Sequence, residues 1–106
     1  MKKNYETLLV KIIKRHILIV TFNRPEVANA FNTIMSKELT SLIEDISMDP
    51  KSIRSIIFTG YGNKAFCAGG DLKERNGMTD YEWEKQHLVY EKMIRVIIEC
   101  PIPIIG

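Results

Sequence analysis

The order of the apolar segments constrains the fold of this chain more than any other feature. Residues 8–13 and 17–22 are short runs rich in β-branched side chains, and the polar Lys14-Arg15-His16 between them predicts a hairpin. Residues 53–59 are almost continuously apolar, as in a strand covered on both faces. Before this third run, apolar side chains recur at the spacing of one helix face, namely Met35, Leu39, Leu42, Ile43 and Ile46.

Polar residues mark where the helices should begin. Asn32 is a suitable N-cap for a first helix that starts at Thr33. Thr79 and Glu82 fit a capping box for a later helix. The stripe of this later helix is expected to face the core or a partner, with its two aromatic residues in the core; it comprises Trp83, His87, Tyr90, Ile94, Ile97 and Ile98.

A final apolar run, residues 103–106, begins a fourth strand. The resulting order β-β-α-β-α-β predicts an α/β sheet with its helices on the outside. The 106 residues allow one small domain at most, and a strand of this kind needs neighbours that the chain does not supply. We therefore expect an incomplete domain.

Composition excludes several classes of function. The net charge of +2, without a basic run, does not favour nucleic-acid binding, and no apolar stretch is long enough to span a membrane. Cys67 and Cys100 lack nearby histidines at ligand spacing, so we expect no metal site and two free, buried thiols. Free thiols and the lack of a signal peptide predict a cytoplasmic protein.

Two adjacent glycines, Gly69 and Gly70, follow the third apolar run and precede Asp71. Backbone N–H groups at such a bend can bind an anion or a developing oxyanion. The same pattern alone is typical of an ordinary turn. Asp71 is favoured as the N-cap of a short helical turn over residues 72–75, rather than as a catalytic acid.

The wider pattern resembles a known family. Residues 23–32 read Asn-Arg-Pro-Glu-Val-Ala-Asn-Ala-Phe-Asn, and residues 65–74 read Ala-Phe-Cys-Ala-Gly-Gly-Asp-Leu-Lys-Glu. In this order and at this separation, they resemble the two N-terminal signatures of the crotonase superfamily, the enoyl-CoA hydratase/isomerase family. The resemblance includes the closing Pro-Ile-Pro-Ile-Ile-Gly. It implies a crotonase-like ββα-type repeat fold, with residues 1–106 as the N-terminal part of a single acyl-CoA-binding domain.

The resemblance also implies a chemistry. Members of the family bind acyl-CoA thioesters and stabilise an enolate oxyanion with two backbone N–H groups, the first of which corresponds to Gly70. Coenzyme A would be part of the substrate, with no separate cofactor. Arg24 or Lys73 could pair with one of its phosphates. The residues expected along coenzyme A are Val27, Ala28, Ala30, Ala68, Gly70, Asp71, Leu72 and Lys73.

Several alternatives remain open. The second N–H donor and the acid and base carboxylates of the family correspond to positions beyond Gly106, so we expect these residues alone to be inactive. Isomerisation, thioester hydrolysis, decarboxylation and a non-catalytic CoA-binding fragment therefore stand beside hydration. The resemblance further implies a homo-oligomer, a trimer or hexamer, for a full-length member. His87 is expected to be packed or partner-facing rather than catalytic.

Overall fold

The computed structural model of this chain describes residues 4–62 and 69–106. They form one four-stranded sheet in the order β1-β2-β3-β4, with helices between the later strands. The strands are β1 (Leu8–Ile13), β2 (Ile17–Phe22), β3 (Ser55–Gly60) and β4 (Ile104–Ile105). The helices are α1 (Thr33–Met48), α2 (Leu72–Asn76) and α3 (Asp80–Glu99), and a 3-10 turn spans Pro25–Val27.

The predicted hairpin is confirmed. Strands β1 and β2 pair antiparallel, with Ile13 opposite Ile17. Lys14 and Arg15 have φ angles of 49° and 67°, and the His16 N–H donates to the Ile13 carbonyl at 3.2 Å. Positive φ at both central residues is the geometry that matches the right-handed twist of the flanking strands. The turn therefore sets the register of the hairpin.

Helix α1 connects β2 to β3, which pair in parallel, and β3 pairs in parallel with β4. The helix begins where the sequence predicts, because the Asn32 Oδ1 accepts the Met35 N–H at 2.8 Å. All five apolar residues of its predicted face are buried. The capping box of α3 is also present, with the Thr79 hydroxyl and the Glu82 carboxylate each bound to the other's backbone N–H.

The expectation that the third strand is covered on both faces is wrong for the described residues. Ile56 and Phe58 are buried against the helices, whereas Ile57 is only half-buried and Thr59 is exposed. Helices α1 and α3 pack against each other and share one hydrophobic core with this single face of the sheet. The strand also starts two residues later than predicted, at Ser55.

The two aromatic residues of the predicted α3 stripe are likewise not in the core, where the sequence predicts them, although Ile97 of that stripe packs against it. The buried residues of α3 are Gln86 and Met93, while Trp83 is 38% exposed and Tyr90 is half-buried. Gln86 takes a buried position because its amide has partners there, which are described below. Cys100 is free but only half-buried, and Cys67 lies outside the described residues.

In residues 4–62 and 69–106, no helix has the length and apolarity needed to cross a membrane. Over the same ranges, His, Cys, Asp and Glu side chains form no group of three that could hold a metal ion.

The core between α1 and the sheet yields a first prediction. Leu42 is fully buried, so Leu42→Ala should lower the free energy of unfolding by about 3 kcal/mol through lost burial and a residual cavity. Leu88→Ala removes the same atoms from an exposed site on α3, where Leu88 is 64% accessible. This change should alter the free energy of unfolding by less than about 0.5 kcal/mol. Urea denaturation followed by circular dichroism measures both. Equal losses would contradict the assignment of this core.

Candidate functional site

The Gly69-Gly70 segment is held beside the end of the first motif by a short parallel bridge. The Phe31 N–H donates to the Gly69 carbonyl at 2.6 Å, and the Asp71 N–H donates to the Phe31 carbonyl at 2.7 Å. In a parallel pair, one residue hydrogen-bonds to the residues just before and just after its partner. The partner's own N–H then points away from that residue. The Gly70 N–H therefore points away from Phe31, and within the described ranges no acceptor takes it.

The two glycines have different structural requirements. Gly69 has φ +92°, which side-chain-bearing residues rarely adopt. Gly70 lies outside that region, and a Cβ built on it meets no atom within 4 Å. The backbone thus requires glycine at position 69, whereas position 70 has room for a small side chain.

An ion pair ties Asp71 to the first motif. The Arg24 Nη2 donates to the Asp71 Oδ2 at 2.8 Å, and the Arg24 Nη1 donates to the Ala30 carbonyl. The two charged side chains are only 14% and 11% exposed. The hydrogen bond from Arg24 is the main cause that lowers the pKa of the Asp71 carboxyl below its ordinary value, with further lowering by backbone N–H groups of α2.

Asp71 is also the N-cap of α2, as predicted. Its Oδ1 accepts the N–H groups of Lys73 and Glu74 at 3.0 and 3.3 Å. The Asp71 carboxylate therefore accepts hydrogen bonds from Arg24 on one oxygen and from α2 on the other, and these bonds favour its ionised form. Of the two cations considered for a CoA phosphate, Arg24 is held by Asp71 and Ala30, whereas Lys73 is exposed.

The first motif folds into a tight turn around a buried asparagine. Ala28 and Asn29 have φ angles of 53° and 57°, and the N–H groups of residues 27–30 all donate within the turn. Asn29 is fully buried, accepts the Arg24 N–H at 2.9 Å and donates to the Tyr61 carbonyl at 3.1 Å. Sequence reasoning passed over Asn29, although asparagine tolerates the left-handed region better than most residues.

The predicted site residues separate into three groups. The bridge and the ion pair bring Ala30, Gly70 and Asp71 together. Val27 and Ala28 are half-buried in the turn, while Leu72 and Lys73 are exposed at the start of α2. Ala68 lies outside the described residues.

A second polar cluster joins the three helices. The Glu74 carboxylate accepts the Thr33 N–H at 3.0 and 3.2 Å. Gln86, which is 6% exposed, donates to that carboxylate and to the Thr33 hydroxyl. The Tyr90 hydroxyl donates to the Phe31 carbonyl at 3.2 Å, and burial is the main cause that raises its pKa. Two features of the sequence could have indicated this cluster. One is the N-cap Asn32 next to Thr33, and the other is the polar Gln86 at helical spacing on α3.

Two cavities meet at Gly70 and Tyr90. The first, which we call the Gly70 cleft, has a volume of about 310 Å³; it is lined by Gly70, Asp71, Leu72, Arg75, Trp83, Gln86, His87 and Tyr90. The second, the apolar groove, has a volume of about 510 Å³; it is lined by Phe22, Phe31, Leu39, Phe58, Gly70, Tyr90, Met93, Ile94, Ile97 and Gly106. Gly70 therefore presents its backbone to both spaces.

The charges of the Gly70 cleft suit anion binding better than proton transfer. Asp71 is bound by Arg24 and by two N–H groups, so it is not available as a base. His87 is exposed, stacks on Trp83 and lies 3.3 Å from the Glu91 carboxylate, so it is not packed in the core, and the alternative that it faces a partner stays a prediction. A backbone donor that no described residue engages is what such a cleft offers to a carbonyl oxygen or to an oxyanion.

Comparisons with known proteins agree with the motifs. The family model described as enoyl-CoA hydratase/isomerase matches residues 13–106. YngF of Bacillus subtilis is 33% identical over 101 residues, which cover 95% of this chain and 38% of YngF. The mitochondrial Delta(3,5)-Delta(2,4)-dienoyl-CoA isomerase of Rattus norvegicus is 33% identical over 114 residues, or 97% of this chain and 34% of the isomerase.

The fold comparison gives the same result. The crystal structure of an enoyl-CoA hydratase from Bacillus anthracis superposes with a TM-score of 0.88 at 29% identity, over 93% of this chain and 38% of the hydratase. The predicted crotonase-like α/β fold is thereby confirmed. The chain spans little more than a third of the length of these relatives, over their N-terminal part.

The Asp71 carboxyl yields a prediction about pH. Its pKa is lowered in the folded state, so its charge stabilises the fold above the unfolded-state pKa of about 3.9, and this contribution is lost as pH falls through the lower folded-state value. Asp71→Asn can still cap α2 but cannot pair with Arg24. It should be clearly less stable than the parent at pH 7, and the difference should shrink below about pH 4. Denaturation at pH 7, 5 and 3 measures this, and a constant difference would refute it.

The Gln86 amide yields a further prediction. Gln86→Leu removes donors from a partly buried carboxylate, so the free energy of unfolding should fall by about 2 kcal/mol. Glu84→Leu, at an exposed position of the same helix, is the matched control and should have little effect. Adding Glu74→Leu to Gln86→Leu should cost less than the sum of the two single changes. Additive effects would show that the two side chains act independently.

Proposed function

The chain belongs to the enoyl-CoA hydratase/isomerase family, and on that basis we propose that it binds an acyl-CoA thioester with the thioester carbonyl oxygen at the Gly70 N–H. The observation that carries this proposal is the Phe31 bridge, which turns the Gly70 N–H away from Phe31, at a residue that lines the Gly70 cleft. A donor fixed in this way needs no reorganisation when charge develops on the oxygen.

The bridge and the ion pair supply that rigidity. Gly70 lies between two backbone hydrogen bonds to Phe31, and the next residue is fixed by Arg24. Donors of this kind are typically worth about 3 kcal/mol of transition-state stabilisation each.

The rest of the thioester would follow the two motifs. In this proposal residues 1–106 form the N-terminal part of one acyl-CoA-binding domain, and coenzyme A is carried as part of the substrate. The turn of the first motif presents small side chains, and exposed Lys73 is the cation available for a phosphate. The proposed contacts are Val27, Ala28, Ala30, Ala68, Gly70, Asp71, Leu72 and Lys73.

The reaction itself is proposed only at the level of an enolate-type oxyanion. The carboxylates of the Gly70 cluster, Asp71 and Glu74, are both engaged, so the proton transfers of hydration need groups from elsewhere. Double-bond isomerisation, thioester hydrolysis and decarboxylation would use the same donor. The relatives include a hydratase and a dienoyl-CoA isomerase, which fits either outcome. The homo-oligomeric state and the cytoplasmic location stay predictions.

A non-catalytic CoA-binding fragment is the second candidate. It is favoured by the engaged carboxylates, since a cleft whose Asp71 and Glu74 carboxylates are held by other groups can bind a thioester without turning it over. Sustained turnover of crotonyl-CoA by the purified 106-residue chain would exclude it.

A pair of substitutions tests the Gly70 donor. Gly70→Pro removes the N–H, whereas Gly70→Ala keeps it and places a Cβ in open space. Calorimetry should show crotonyl-CoA binding weakened about tenfold by proline and nearly unchanged by alanine. The carbonyl stretch of bound crotonyl-CoA should rise in frequency in the proline variant, because its oxygen has lost a hydrogen bond.

Free coenzyme A serves as the internal control for this pair. Its affinity should be the same in the parent and both variants, since it carries no thioester carbonyl. Proline and alanine variants that bind crotonyl-CoA alike, with the same carbonyl frequency, would remove Gly70 from the proposed role.

A further inference from the structure

The far end of the Gly70 cleft carries a cation on an aromatic surface. The Arg75 guanidinium carbon lies 5.3 Å from the centroid of the Trp83 ring, and the His87 ring stacks on Trp83 with centroids 5.4 Å apart. All three side chains line the same cleft as Gly70. Stacking on an aromatic face holds the planar guanidinium in one orientation while leaving its N–H edge open for bidentate bonds.

The carboxylates nearest to Arg75 are engaged with other groups. Asp71 pairs with Arg24, and Glu74 accepts from Thr33 and Gln86. Among the described residues, no carboxylate lies within ion-pair distance of Arg75. Its charge nevertheless acts inside the cleft, since Arg75 is one of the groups that lower the pKa of Tyr90 against the larger effect of burial.

We propose that the Gly70 cleft selects an acyl group that ends in a carboxylate, with Arg75 as the residue that binds this carboxylate. This inference rests on the proposed function, because it places the thioester carbonyl at Gly70. The acyl chain would then run over Leu72 and Trp83 towards the guanidinium. A volume of about 310 Å³ is at the small end of ligand sites, so the acyl group is short.

The position of Arg75 on α2 sets the expected length of the acyl group. Arg75 is one helical turn beyond Asp71, and its N–H donates to the Asp71 carbonyl. One turn advances the backbone by about 5 Å along the axis, and the proposal places the anion a few bonds from a carbonyl at Gly70 on this basis. A five-carbon dicarboxylic acyl group has this reach.

Two thioesters of equal size test the proposal. Glutaryl-CoA ends in a carboxylate, and 5-amino-5-oxopentanoyl-CoA ends in a neutral amide of the same shape. The 106-residue chain should bind glutaryl-CoA at least about tenfold more tightly, which is the effect of one charge-assisted hydrogen bond. Arg75→Gln should abolish this preference, and Arg75→Lys should keep part of it.

The control variant is Arg95→Gln. Arg95 is exposed on α3 and does not line the cleft, so its loss removes the same charge and should leave the preference intact. Equal affinity of the parent chain for the two thioesters would overturn the proposal while leaving the proposed function standing. So would an Arg75→Gln variant that binds free coenzyme A more weakly and keeps the preference, since Arg75 would then contact a phosphate. Failure of every thioester to bind, crotonyl-CoA included, would instead overturn the proposed function and this inference with it.

Discussion

The ion pair between Arg24 and Asp71 is the interaction on which the candidate site depends. It joins residues 47 positions apart, and it is nearly closed to solvent. One end follows strand β2, and the other caps α2. With the backbone bridge at Phe31, the pair fixes both the position and the direction of the Gly70 N–H. A partly buried pair is costly to form, and its desolvation is offset here because each charge has further partners, the Ala30 carbonyl for Arg24 and two helix N–H groups for Asp71.

The Glu74 cluster extends this constraint to the other helices. A carboxylate that accepts from α1 at Thr33 and from α3 at Gln86 holds α2, a helix of only five residues with no buried side chain, against its neighbours. Such a short helix has little stability of its own. Its position is therefore determined by polar contacts and not by packing, which explains why a buried position of α3 carries glutamine instead of an apolar residue.

Local signals in the sequence predicted the parts of the fold that depend on neighbours along the chain. The hairpin, the Asn32 cap, the buried face of α1 and the Thr79 capping box are all determined within a few residues, and each is confirmed. The buried face of α3 was wrong, because it depends on where α1 and α2 lie and on the partners of Gln86. Likewise, the motifs identified Gly70 and Asp71, but a one-dimensional pattern could not pair Asp71 with Arg24 or place Trp83 beside Gly70. Those contacts come from the tertiary fold.

In the proposed function, the arrangement around Gly70 separates charge stabilisation from proton transfer. Each nearby carboxylate has structural partners whose loss would release α2 or the first motif, so neither can take up a proton without weakening the frame that orients the N–H. Asp71 in particular has its pKa held low by Arg24, which is the opposite of what a general acid requires. Since the donor depends on carboxylates that are held by these partners, acid and base groups have to come from side chains outside this cluster. The same donor can then serve different reactions, because the groups that would distinguish them are not those that hold it in place.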